Sequence, residues 1–146
     1  MKSLSFFLVL LWCTTASAQL HKPVKWSYAA KKINKQEAVI YIKATIASGW
    51  YIYAMQANNG PTKTSFNFTT SKYYGLIGKT LQPKPAVKYD KYFKKNIAFF
   101  EREVTFKQKV KLLKNNAVIS GILEFMTCND KSCLPAEEIA FKIAVN

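Results

Sequence analysis

Val104-Thr105-Phe106-Lys107-Gln108-Lys109-Val110-Lys111-Leu112 alternates without a break. Val104, Phe106, Gln108, Val110 and Leu112 share one side; Thr105, Lys107, Lys109 and Lys111 share the other. Side chains on a strand point to opposite faces in turn, so this period of two describes a strand with one dry face and one wet face. That is the pattern of an antiparallel sheet covered on one side. The same period recurs outward from this stretch. Ile40, Ile42, Ala44 and Ile46 face one way, with Tyr41, Lys43 and Thr45 opposite. Ile119, Gly121, Leu123 and Phe125 form another such row, and Ile139, Phe141, Ile143 and Val145 a last one. Shorter runs lie at 26–30, 50–54, 65–69 and 73–78. Turn signals divide them: Asn34-Lys35, Ser48-Gly49, Asn58-Asn59-Gly60-Pro61 and Asn115-Asn116. No stretch has a helical period, and no internal repeat is visible. Strand after strand at this spacing predicts an all-β, immunoglobulin-like antiparallel β-sandwich. A closed barrel is the alternative.

The first eighteen residues read as a secretory signal. Lys2 supplies the positive start, residues 4–12 are apolar, and Ala16-Ser17-Ala18 is a small-x-small cleavage site. The expectation is therefore a signal peptide over 1–18 and a single domain over 19–146, soluble and in the periplasm. The apolar run is too short to span a bilayer. Export would place the domain where disulfides persist.

Lysine and arginine number 22 against 8 aspartates and glutamates, a formal charge of +14. Arginine occurs once, at Arg102. Base-reading proteins lean on arginine, so the balance argues against a nucleic-acid partner. It fits a lysine-rich solvated surface, or attraction to an anionic partner. The lone histidine, His21, excludes a histidine-based triad or a multi-histidine metal site within this sequence. No metal or other cofactor is expected.

Residues 81–100 are the least regular. Pro83 and Pro85 interrupt them, and Val87-Lys88-Tyr89-Asp90-Lys91-Tyr92-Phe93-Lys94-Lys95-Asn96 mixes aromatics with lysines. The segment reads either as a functional loop carrying aromatics or as an edge hairpin whose aromatics pack on the sandwich.

Cys13 falls in the signal, which leaves Cys128 and Cys133. Two roles compete for them. As a staple, a bond over so short a loop contributes about 2 kcal/mol on chain-entropy grounds, little for a domain with a sandwich-sized core. As a redox pair, the nearness of the two sulfurs lets one resolve a mixed disulfide formed by the other. Lys131 between them favours a thiolate, and Asp130 opposes it. The pair falls short of the four ligands of a structural zinc site.

The chain also resembles a known family. The residues that carry the resemblance are Trp26, Gly49-Trp50-Tyr51-Ile52-Tyr53, Gly60-Pro61-Thr62-Lys63-Thr64-Ser65-Phe66 and Tyr89-Asp90-Lys91-Tyr92-Phe93. The sharpest part is the ending, Glu124-Phe125-Met126-Thr127-Cys128-Asn129-Asp130-Lys131-Ser132-Cys133-Leu134-Pro135. Over essentially the whole mature length this is similar to the amino-terminal periplasmic domain of the thiol:disulfide interchange protein DsbD. Best-known members have five residues between the cysteines, and this chain has four. The resemblance implies an immunoglobulin-like fold and an electron relay, a protein-disulfide reductase activity. The donor would be thioredoxin-like. The acceptors would be exported thiol proteins such as disulfide isomerases or those of cytochrome c biogenesis. A separate polytopic redox membrane protein would be a further partner. Cys128 and Cys133 would be the redox pair, with Cys133 taking the partner's attack and Cys128 resolving. Phe93, or next to it Tyr92, would cap the pair, and Tyr51 and Tyr53 would line it. The competing reading is an exported β-sandwich adaptor with a structural disulfide, binding a protein or an anionic surface.

Overall fold

The computed structural model describes residues 22–56 and 62–146. The expected signal peptide and the Asn58-Asn59-Gly60-Pro61 turn lie outside the described residues. Within them, eleven strands and no helix form three antiparallel sheets. The first sheet runs in the order β1 (Val24–Lys32), β2 (Glu37–Ile46), β8 (Glu103–Leu112), β5 (Tyr74–Leu81). The second is β10 (Thr127–Asn129), β3 (Trp50–Tyr53), β7 (Lys95–Phe100), β6 (Ala86–Asp90). The third is β11 (Glu137–Val145), β9 (Ala117–Phe125), β4 (Ser65–Phe68). The fold is the all-β, immunoglobulin-like one that the alternation predicts.

The alternating rows become the core. Ile40, Ile42, Ala44, Val104, Phe106, Val110, Ile119, Leu123, Phe125, Phe141 and Val145 are all buried in one cluster. Trp26 of β1 lies on this core, with Phe125 and Phe106 rings at 5.2 and 6.2 Å. Gln108 occupies an apolar row for a reason. β5 breaks register between Ile77 and Leu81, where Gly78 has φ 67°, and this leaves backbone groups without ladder partners. The Gln108 amide donates to the Ile77 carbonyl at 3.2 Å and accepts from Thr80 Oγ1 at 2.8 Å. A buried polar side chain is tolerated where it satisfies an irregular backbone in this way. Gly121 answers a different need. A Cβ there would run into the Asn67 carbonyl oxygen and the Phe141 ring, so β4 can approach β9 only over a glycine.

The second sheet departs from simple alternation, and it carries the two cysteines. Three successive residues of β3, Tyr51, Ile52 and Tyr53, are all buried. Ile52 and Phe100 point into the main core. Tyr51, Tyr53, Ile97, Phe99 and Cys128 form a separate cluster, with Phe93, Met126 and Cys133 packed against it. β3 is dry on both faces, so the one-wet-face pattern of β8 does not apply to it, while β6 at the sheet's edge keeps Val87 and Tyr89 exposed. The irregular segment 81–100 proves to hold the β6–β7 hairpin, closed by residues 91–94, and its Phe93 and Phe99 line that second cluster.

Candidate functional site

The cysteines sit at the base of a tight hairpin made by one asparagine. Asn129 Oδ1 accepts the backbone N–H of Lys131 at 2.8 Å and of Ser132 at 2.7 Å. The Asn129 N–H donates to the Ser132 carbonyl at 2.8 Å, and Leu134 N–H to the Thr127 carbonyl at 2.9 Å. This Asx turn returns the chain after four residues, so Cys128 and Cys133 face each other as an antiparallel pair. They are joined by a disulfide with 4.0 Å between Cα atoms. Cys128 is fully buried, and Cys133 is half-buried.

β3 brings the tyrosines to the sulfur. Tyr51 is the direct register partner of Cys128 across the β10–β3 ladder. Tyr53, two residues on, shares its face, and its hydroxyl reaches Cys128 Sγ at 3.2 Å. The same hydroxyl lies 2.9 Å from Asp90 Oδ2, and the Tyr51 hydroxyl donates to that oxygen at 3.3 Å. Asp90 is 2% exposed. Its other oxygen, Oδ1, accepts the backbone N–H of Tyr92 at 2.8 Å and of Phe93 at 3.1 Å. One buried carboxylate thus ties the turn after β6 to the tyrosines that touch the disulfide. A buried charge costs free energy unless hydrogen bonds satisfy it, and here both oxygens are engaged.

The turn places Phe93 over the cluster. Its ring meets Tyr53 edge-on at 5.9 Å, while Tyr51 meets Tyr53 at 5.7 Å and Phe99 at 5.6 Å. Tyr92 gives its backbone N–H to the same carboxylate, but its side chain is 40% exposed. Of the two aromatics in this turn, Phe93 is the one whose ring reaches the site. Lys94, with φ 52°, closes the turn in the left-handed region. Lys88 covers the opposite flank, its Nζ 3.4 Å from the Tyr51 ring centroid and 4.4 Å from that of Phe99.

The tyrosines are held neutral. Burial, first of all, pushes the Tyr51 hydroxyl up to about 12, with the nearby Asp90 charge adding to it. Burial and then the hydrogen bond to Asp90 raise Tyr53 as well. The only hydrogen on the Tyr53 hydroxyl therefore stays in place through ordinary pH, with two acceptors in reach, a carboxylate oxygen and a sulfur.

All six residues singled out in the sequence meet in this region: Cys128, Cys133, Tyr51, Tyr53, Phe93 and Tyr92. Sequence reasoning missed Asp90, Lys88 and Phe99. A signal existed for Asp90. An aspartate closing a strand, just before a lysine-aromatic turn, is the residue type that accepts backbone N–H groups two and three positions on. Among the described residues no helix is long and apolar enough to cross a membrane. Nor do any three His, Cys, Asp or Glu side chains there form a metal-binding group.

The fold recurs in solved structures. The Neisseria meningitidis DsbD amino-terminal domain in its reduced form aligns at TM-score 0.55 and 18% identity, over 82% of this chain and 85% of that one. The amino-terminal periplasmic domain of ScsB from Proteus mirabilis aligns at TM-score 0.63 and 17% identity, over 84% of this chain and 46% of that one. A structure of the complex between the DsbD and PilB amino-terminal domains of N. meningitidis aligns at TM-score 0.56 and 15% identity, over 85% of this chain and 87% of that one. No curated protein sequence matches the chain. Residues 18–144 match the family model described as thiol:disulfide interchange protein DsbD, N-terminal. With a Cys128–Cys133 disulfide set in an aromatic site, the chain belongs to the DsbD amino-terminal domain family, whose chemistry is thiol:disulfide interchange.

Proposed function

We propose that the protein is a periplasmic electron-relay domain that cycles Cys128–Cys133 between disulfide and dithiol. The observation that carries the reading is the asymmetry of the pair. Cys133 is half-buried at the rim, while Cys128 is fully buried with a tyrosine hydroxyl on its sulfur. A staple needs no such difference; an exchange centre does, because one sulfur must be reached and the other must leave.

The step runs as follows. The thiolate of a thioredoxin-like donor attacks Cys133 Sγ in line with the S–S bond. That bond breaks, its electron pair goes to Cys128 Sγ, and a mixed disulfide forms at Cys133. The Tyr53 hydroxyl turns from Asp90 toward the new Cys128 thiolate, since an anionic sulfur accepts more strongly than a disulfide sulfur. The donor's second thiolate then attacks its own sulfur of the mixed disulfide and frees Cys133. The donor leaves oxidised and the domain holds two electrons as a dithiol. In the forward half-cycle the Cys133 thiolate attacks an acceptor disulfide, and Cys128 resolves the product. Phe93 is the cap over this chemistry and Tyr51 its wall: an aromatic cover keeps small thiols and oxidants away until a partner displaces it. A chain of similar fold solved in complex with a PilB domain supports a folded protein domain as the partner. Acceptors among exported thiol proteins, cytochrome c biogenesis factors included, and a separate polytopic redox membrane protein fit the same role.

Equilibration against glutathione or dithiothreitol buffers tests the relay. A cycling bond titrates well above the roughly −300 mV below which structural disulfides lie. A value under that limit would sink the relay and leave the adaptor with a structural bond. In a Cys128→Ser variant, the mixed disulfide at Cys133 should accumulate and identify the partner; a Cys133→Ser variant should trap far less.

A further inference from the structure

The margin of the site carries charge that the exchange chemistry does not use. Residues 84–95 hold Lys84, Lys88, Lys91, Lys94 and Lys95 against one carboxylate, Asp90, which is buried and occupied by hydrogen bonds from the tyrosines and the turn. Along β6 the period of two puts Lys88 on the site face with Asp90, and Tyr89 on the outer face at 65% exposure. The ion pairs found among the described residues, Lys43–Glu103 and Lys109–Glu37, involve neither Lys88 nor Lys91. An open pocket of about 150 Å³ lies between the lid and the cysteine hairpin. Tyr51 lines it from β3, Lys88, Tyr89, Asp90, Lys91 and Tyr92 from β6 and the turn after it, and Asp130 from the hairpin. Whatever fills it lies against Tyr51, the register partner of Cys128.

We propose that Lys88 and Lys91 are the recognition point for a carboxylate on the exchange partner, so that this domain selects a protein whose surface next to its own cysteines is acidic. The inference rests on the exchange reading above. Three features carry it. Lys88 is preorganised: its ammonium is already laid over the Tyr51 and Phe99 rings, so pairing it orders little that is not ordered. It is half-buried, so salt screens it less than the outer lysines. Exposed Tyr89 and Tyr92 flank the two lysines and supply the amphipathic aromatic contacts that protein interfaces favour. Asp130 narrows the choice. Its carboxylate faces the same pocket and opposes a multiply charged phosphate more than a single carboxylate. The positive field of the chain, +14 formally, would also steer an acidic protein toward it.

Two synthetic dithiol peptides test this, with the same Cys-x-x-Cys centre and either glutamate or lysine flanks. The measurement is the rate at which each reduces the Cys128–Cys133 disulfide at low ionic strength. The thiolate charge is common to both, so the ratio of rates reports the flanks. The intact protein should react roughly tenfold faster with the glutamate peptide, within the range of electrostatic steering. Lys88→Gln with Lys91→Gln should bring the ratio to within about twofold of unity, and the exposed Lys91→Gln alone should fall between. Asp130→Asn should raise the ratio. Lys142→Gln, on β11 in another sheet, should leave it unchanged. A ratio that survives the double substitution overturns the inference, as does one that Lys142→Gln lowers equally, because bulk charge would then explain it. If both peptides reduce the disulfide at the same rate, the recognition point fails and the relay stands. If neither reduces it, the recognition point fails, and the relay falls with it only if the bond also titrates below about −300 mV.

Discussion

The two faces of the β10–β3–β7–β6 sheet do different work. Ile52 and Phe100 face the main core, which is built of aliphatic rows and stacked rings. Tyr51, Tyr53, Ile97 and Phe99 face a small cluster whose centre is Cys128. The first face is closed by two other sheets. The second is closed by a turn, one phenylalanine and one lysine. Burial on the first face holds the fold together; burial on the second encloses a disulfide. A buried residue here is therefore not always a stability residue, and substitutions on the two faces should separate stability from reactivity.

The largest effect is expected in the main core. Phe106 is fully buried, with Phe66 and Phe100 rings at 4.9 and 6.0 Å. Phe106→Ala should cost about 3–5 kcal/mol in a urea titration, as buried aromatic truncations do. That is a large share of the stability of a domain this size. The potential of the disulfide, measured below the unfolding midpoint, should not move. A shift in potential as large as the loss in stability would show that the two faces are coupled and break the comparison.

Asp90 comes next, because it belongs to the second face yet holds backbone. Asp90→Ala removes the acceptor for two turn N–H groups and two tyrosine hydroxyls. A loss of about 2–3 kcal/mol is expected, in the range of hydrogen bonds to a charged group. Unlike Phe106→Ala, it should also release the turn. Amide hydrogen exchange at Tyr92 and Phe93 should accelerate at least tenfold while exchange in β2 and β8 follows only the global loss. Uniform acceleration throughout the molecule would mean that Asp90 is simply another core residue.

How far the sequence discloses these two faces differs sharply. The main core is legible residue by residue, because a sheet with one wet face writes its burial as alternation along β2, β8, β9 and β11. The second sheet is less so: β3, dry on both faces, loses that alternation, and the β6–β7 hairpin reads only as one of two alternatives. Tyr51, Ile52 and Tyr53 read as one apolar run with no indication of which side each serves. Prolines at 83 and 85 further mask the start of β6. The cysteines stand out by their number and spacing; the tyrosines and the aromatics of the 91–94 turn come from motif resemblance rather than from periodicity. Lys88 matches no pattern of either kind, and Asp90, although it stands in the Tyr89–Phe93 motif and is typed for a turn, shows nothing there of its contact with the tyrosines. Their roles arise only when β7 pairs with β3, Tyr53 opposite Phe99, and carries the β6 strand with it toward Tyr51, a long-range contact that no local window contains.

Phe93→Ala isolates the cover. The ring is half-buried and touches Tyr53 edge-on, so a stability loss of only about 1 kcal/mol is expected. Reactivity should respond far more. On the proposed capping role, the rate of disulfide reduction by a small monothiol should rise about tenfold. Tyr92→Ala should leave that rate within twofold, because its side chain points outward. Equal acceleration by both would transfer the cap from one ring to the whole turn.

The smallest effect concerns the tyrosine hydroxyls, and its sign follows from their environment. Tyr51 titrates near 12 in the folded protein against an ordinary value near 10, and Tyr53 is raised too. The folded state therefore holds these protons more tightly than the unfolded chain does. Their contribution is fully present below pH about 10 and is lost as pH rises through the folded values, starting between about 10 and 12. Thermal midpoints should fall over that window in the wild type. Lysines deprotonate in the same range, so the informative quantity is a difference. The double variant Tyr51→Phe, Tyr53→Phe lacks both groups, and its midpoint should fall less steeply between pH 9 and 11. At pH 7 the same variant should lose about 1 kcal/mol per hydroxyl, an ordinary net value for a buried hydrogen bond. Its Cys128 thiolate should also be harder to form, seen as a more alkaline onset of thiol alkylation in the reduced protein. Parallel pH profiles for the two proteins would mean that the hydroxyls keep no protons for the fold. An unchanged alkylation onset would mean that the Tyr53 contact to sulfur is packing alone.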